Sequence, residues 1–178
     1  MVWYERKAGG RMKLRNMTRC AIFSAVLAVC AWLSIPLGDQ AISLQSFGVF
    51  LTRFLLGGRD GTVSVLVYLL LGVVGVPVFS GIRGGISVLL GPTGGYLWGF
   101  LAAAILYWML EKRLPSWMNT TLSMMLCYTC GTVWYYFIFA PGALWPVLLT
   151  CVVPYLLTDI LKIFLAHSVA RRLKTIVE

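Results

Sequence analysis

Asp159 and Lys162 are the residues of this chain best placed to do chemistry, because they stand where charge is expensive. Both fall well inside an apolar stretch that starts near Ala143. At about 1.5 Å of rise per residue they would lie deep in a bilayer. Their i,i+3 spacing puts them on one helix face, with Tyr155 a turn earlier. An unpaired charge at that depth costs about 2.5–3.5 kcal/mol or more. The pair is therefore either a polar ligand site or an ion pair that neutralises itself and holds helices together. Arg83 is the second candidate. It stands in Gly81-Ile82-Arg83-Gly84-Gly85, where glycines let the backbone turn sharply and approach a ligand. A guanidinium can clamp a carboxylate through two parallel hydrogen bonds, although a solvated loop arginine would look the same in sequence. Tyr96 and the run Trp134-Tyr135-Tyr136-Phe137 supply rings that fit either an interfacial aromatic belt or the walls of an apolar pocket.

Several other chemistries are not encoded. The glycine clusters lack the Gly-Lys-Ser/Thr ending of a phosphate-binding loop, so no ATP site is expected. His167 has no second His or Cys at ligand spacing, and no Ser/His/Asp or Cys/His set forms around it. No metal, cofactor or catalytic residue is expected, and the chain does not read as an enzyme. Five cysteines in or beside apolar runs argue against a disulfide framework. Cys127 and Cys130 have redox-motif spacing but read as small buried residues. Asn119-Thr120-Thr121 fits a glycosylation acceptor but falls on the predicted cytoplasmic side.

The elements that position these residues follow from composition. The chain is 60% hydrophobic and 12% charged, against about 45–50% and about 25% in soluble domains. A soluble fold of 178 residues has no interior large enough to hide that much apolar surface. The net charge of +9 is gathered in short clusters between apolar runs, which argues against nucleic acid as a partner and for membrane lipid. With about 20 apolar residues needed per crossing, the pattern predicts an all-α integral membrane protein of six transmembrane helices: 17–37, a short second at 43–56, 62–78, 93–110, 119–140, and 143–170 with a kink near Pro154. Residues 79–92 form a Gly-rich outer loop between the third and fourth. Residues 1–16 read as a basic cytoplasmic extension, 17–172 as the six-helix domain and 173–178 as a cytoplasmic tail.

An even helix count puts the clusters around Arg11, Arg59, Lys112 and Arg171 on one side, which the positive-inside rule makes cytoplasmic. Asp39 and Arg83 then lie outside. Small residues mark where helices meet closely: Ala21, Ala25, Ala28 and Ala31 on the first helix, and Gly91, Gly95, Gly99 and Ala103 on the fourth. Each strip serves either packing within the chain or docking of a partner.

Three segments carry a resemblance. Ile42-Ser43-Leu44-Gln45-Ser46-Phe47, then Tyr68-Leu69-Leu70-Leu71-Gly72 with Gly75-Val76-Pro77-Val78-Phe79, and Gly91-Pro92-Thr93-Gly94-Gly95-Tyr96 resemble the BioY family, the biotin-specific S components of energy-coupling factor (ECF) transporters. The resemblance runs from about Leu14 to the end and leaves residues 1–11 outside. Ser43 and Ala41 depart from it, where Thr and Pro are usual. It implies a bacterial plasma-membrane subunit with both termini cytoplasmic, which binds biotin outside and works with a transmembrane coupling protein and two ATP-binding subunits. It also implies substrate contacts from Asp159, Lys162, Arg83, Gln45, Tyr96, Tyr135 and Tyr155, and docking through Ala21, Ala25 and Ala28. The alternatives are an S component for another small vitamin and a stand-alone membrane carrier. A carrier would usually show more helices or an internal repeat, and none is visible. A membrane enzyme would need a further nucleophile or carboxylate cluster, and a pure assembly subunit leaves the charged pair unexplained.

Overall fold

The computed structural model describes residues 14–37, 40–142 and 144–177. Helix α1 (Leu14–Trp32) turns Cys20, Ser24, Leu27, Ala28 and Ala31 inward, a 3.6-residue stripe, and leaves Met17, Ile22 and Val29 exposed. Ser24 ties the stripe to its neighbour, since its Oγ lies 2.8 Å from both Cys20 O and Ser64 O.

The first helix stops at Trp32 and not at residue 37 as the sequence suggested. A hairpin follows, with β1 (Ser34–Leu37) antiparallel to β2 (Gln40–Ser43) and Pro36 opposite Ala41. Proline pushes the residue before it into extended backbone, which ends the helix and favours a strand.

Helix α2 (Gln45–Val73) joins the expected second and third helices in one run, broken only at Gly57, where φ is 80° and ψ is −176°. Only glycine adopts that backbone without strain. The neighbouring Gly58 packs against Trp108, and its N–H donates to Glu111 Oε1 at 2.9 Å. The Gly-rich segment after α2 folds back over its end. Phe79 takes the space that a side chain at Gly72 would fill and meets Tyr68 edge to face at 5.6 Å. The segment holds a short helix, α3 (Ile86–Leu90), where the sequence predicts loop throughout.

Helices α4 (Gly94–Leu110) and α5 (Ser116–Ile138) pack along each other. The small strip of α4 serves this contact: Gly95 lies against Trp134, and a Cβ at Gly99 would come 2.9 Å from Cys127 O. Packing within the chain therefore explains that strip. The last expected helix is two: α6 (Leu144–Cys151) and α7 (Val153–Val177), which meet at Val152. Pro154 thus sits at the second position of α7, where its missing N–H costs nothing.

By length and hydropathy α1 and α2 could each cross a membrane. The surface supports a lipid environment more broadly. Phe137, Leu157, Ile160 and Phe164 are exposed while Arg53, Asp159 and Lys162 are buried, the reverse of a water-soluble protein.

Candidate substrate-binding site

The first half of α2 presents Ser46, Val49, Phe50 and Arg53 on one face, at the i, i+3, i+4, i+7 spacing of a helical stripe. That face borders a cavity whose other walls come from the 79–92 segment, α4, α5 and α7. The cavity encloses about 860 Å³ of empty space, its open mouth included. Its apolar lining includes Phe50, Phe79, Leu97, Phe100 and Met124.

One wall is strongly polar. Lys162 Nζ lies 2.8 Å from Asp159 Oδ1 and donates to Ser43 O at 2.8 Å and Ser46 Oγ at 3.1 Å. Ser46 Oγ donates to the same Asp159 oxygen at 2.7 Å, and Tyr128 OH donates to Oδ2 at 2.9 Å. Asp159 and Lys162 are 4% and 6% exposed. Each charge is thus partnered by its opposite and by neutral groups, which is what makes burial tolerable. The arrangement offers both a carboxylate acceptor and an ammonium donor to a bound polar head.

A second polar chain braces the mouth. Gln45 Nε2 donates to Tyr68 OH at 3.0 Å, and Tyr68 OH donates to Val78 O at 3.1 Å. Ser80 Oγ reaches Gln45 Oε1 at 3.4 Å, which ties the 79–92 segment to the start of α2. Arg83 is exposed beside it, its Nε bonded to Ser80 O at 3.1 Å. Tyr96 and Tyr155 stack with centroids 6.4 Å apart on another wall. Gly131 makes room for the Tyr96 ring, which occupies the space a Cβ there would need.

Of the residues expected from sequence, Asp159, Lys162, Arg83, Gln45, Tyr96 and Tyr155 line this cavity together. Tyr135 does not. It lies two helical turns beyond Tyr128, about 10 Å along α5, and stacks on Phe139 at 5.8 Å. The alanine strip also divides. Ala21 and Ala25 are exposed, whereas Ala28 is 7% exposed and packs in the core with Leu27 and Ala31.

Sequence reasoning missed Ser46, Tyr128 and Arg53. Arg53 is the largest omission: it is 2% exposed and lines the cavity, stacked over Tyr107 at 5.6 Å to the ring centroid. Its Nε, Nη1 and Nη2 make no hydrogen bond among the described residues. The visible signal was a lone arginine inside the apolar run from Phe47 to Leu56. Cys20, Cys30, Cys127 and Cys130 are free thiols, and Cys127 forms part of the cavity wall. Asn119 is buried, with Nδ2 donating to Tyr107 O at 2.8 Å. Among the described residues no cluster of His, Cys, Asp or Glu could hold a metal.

Known proteins share this sequence and shape. The sequence model of the BioY family matches residues 5–178, starting ahead of the Leu14 expected from the motifs. A Thermotoga maritima protein named biotin transporter BioY is 36% identical over 165 residues, covering 90% of this chain and 96% of the relative. A Pyrococcus horikoshii protein named probable biotin transporter BioY is 33% identical, covering 92% and 98%. The crystal structure of an S-component for biotin from an ECF-type ABC transporter superposes with a TM-score of 0.81 and 28% identity, covering 95% of each chain. With the match spanning nearly its whole length, the chain belongs to the BioY family of membrane transport proteins.

Proposed function

We propose that this chain is the biotin-capturing S component of an ECF-type uptake transporter. The observation that carries the reading is a buried Asp159–Lys162–Ser46–Tyr128 cluster set into an otherwise apolar cavity, in a chain of the BioY family. Biotin has matching chemistry. Its ureido N–H groups seek an acceptor, which Asp159 supplies, and its ureido oxygen seeks a donor, which Lys162 supplies by exchanging one of its present partners. Its fused rings and acyl chain suit walls such as Phe50, Phe100 and Met124.

The chain crosses the membrane six times in this reading: α1, the two halves of α2, α4, α5, and α6 with α7 as one broken span. Both termini and the 111–115 turn lie in the cytoplasm, beside the Lys and Arg clusters. The cavity mouth and the 79–92 segment face outside. A transmembrane coupling protein and two ATP-binding subunits complete the transporter, with the exposed Ala21 and Ala25 face of α1 as the docking surface.

The test is calorimetry on the purified chain in detergent without ATPase subunits. Biotin should bind. Heat with riboflavin or thiamine and none with biotin would reassign the substrate and keep the transporter class.

A further inference from the structure

The structure holds a buried cation that the polar cluster does not use. Arg53 sits one helical face down from Ser46, seven residues further along α2, or about 10 Å deeper at about 1.5 Å per residue. Its guanidinium lines the same cavity and is 2% exposed, and its three nitrogens find no acceptor among the described residues. Stacking over Tyr107 steadies the planar group from one face and leaves its edge donors unmet. A guanidinium keeps its charge, so it cannot escape the cost of burial by releasing a proton. Asp159 is engaged by Lys162, Ser46 and Tyr128, and no hydrogen bond joins it to Arg53. The group a guanidinium fork recognises best is a planar anion with two oxygens.

We infer that Arg53 is the carboxylate anchor of this site, so that the substrate lies along α2 with its ring head at Asp159 and Lys162 and its acid tail at Arg53. This rests on the biotin reading and adds the direction in which the molecule is held. Arg83, exposed at the mouth and bonded to Ser80 O, has no part in holding the acid. Val49 and Phe50 lie between the two polar ends on the same face and flank the acyl chain.

The experiment compares biotin with biotinol, which keeps the rings and chain but ends in an alcohol. The wild-type protein should bind biotin at least about tenfold more tightly than biotinol, the order of a charge-assisted hydrogen bond. Arg53→Met should erase that preference by weakening biotin alone, and Arg53→Lys should keep part of it. Arg83→Met should leave the preference intact. Equal binding of the two ligands by the wild type, or a preference lost in Arg83→Met and kept in Arg53→Met, would overturn the placement while leaving biotin as substrate. The wild-type comparison stands even if a variant fails to fold. A wild-type protein that bound neither ligand would overturn the proposed function itself.

Discussion

Removing Asp159 and Lys162 singly and together decides whether the pair is a site or a scaffold. In Asp159→Asn the Lys162 ammonium keeps Ser43 O and Ser46 Oγ but loses the opposite charge at 2.8 Å. In Lys162→Met the carboxylate keeps the Ser46 and Tyr128 hydroxyls and loses its cation. Either change orphans a buried charge, which costs about 3–5 kcal/mol. Each single variant should therefore melt earlier than wild type. The double variant removes both charges and should recover most of that loss, since no orphan remains. Binding should behave differently. If the pair holds the ureido group, the double variant still lacks its charged partners and should lose more than about 1.5 kcal/mol of biotin affinity, at least about tenfold. Calorimetry beside thermal melting in one detergent reads both quantities. A double variant that folds and binds biotin like wild type would refute the site reading and leave the pair as a structural clamp.

Other consequences can be checked independently. Gly131→Leu should displace the Tyr96 ring, break its stack on Tyr155 and weaken biotin binding by at least about tenfold while the protein still assembles, a difference that binding beside size-exclusion chromatography would show. Ala25→Trp on the exposed face of α1 should spare binding and abolish uptake in cells, whereas Ala28→Trp should overpack the core and lower the melting temperature. If Ala25→Trp lost binding and uptake together, that face would be internal packing. Ile82→Cys, on a background without the native cysteines, should react with an impermeant thiol reagent from outside the cell, and protection there with labelling of the termini would invert the proposed orientation.

The sequence was most legible where local physics decides. The fourth helix, expected at 93–110, is α4 at Gly94–Leu110, because its ends are marked by Gly91-Pro92 and by the charges after Leu110. Asp159 and Lys162 stood out because charge in an apolar run is costly wherever it falls. What surrounds them was not legible. The Ser46 hydroxyl lies 113 residues from Asp159 in sequence, and a serine in an apolar helix carries no sign of its partner. Tyr128 looked like one aromatic among many, and Tyr135 looked equally good until the length of α5 separated them. The 34–43 hairpin was hidden because its apolar residues continue the hydropathy of α1, and pairing between two short strands leaves little trace in composition. Arg53 was in plain view as the lone charge in the short second helix, and only the fold shows that it is buried and lines the cavity.

The bracing at the mouth has a kinetic meaning. Among the bonds that hold the segment after α2 are Trp32 Nε1 to Pro77 O at 2.7 Å, Tyr68 OH to Val78 O, Ser80 Oγ to Gln45 Oε1 and Gly85 N–H to Gly72 O at 2.7 Å. Gly75, Gly81 and Gly85, all with positive φ, make the sharp turns of that segment. Entry and escape both need these bonds broken, and escape needs the ligand's own contacts broken as well. A strap of this kind gates arrival and departure alike, so loosening it is expected to speed both, with the ligand's own partners setting how far the stay exceeds the opening time. A subunit that waits for a partner to collect its cargo gains from such slow release, because capture and hand-over need not coincide.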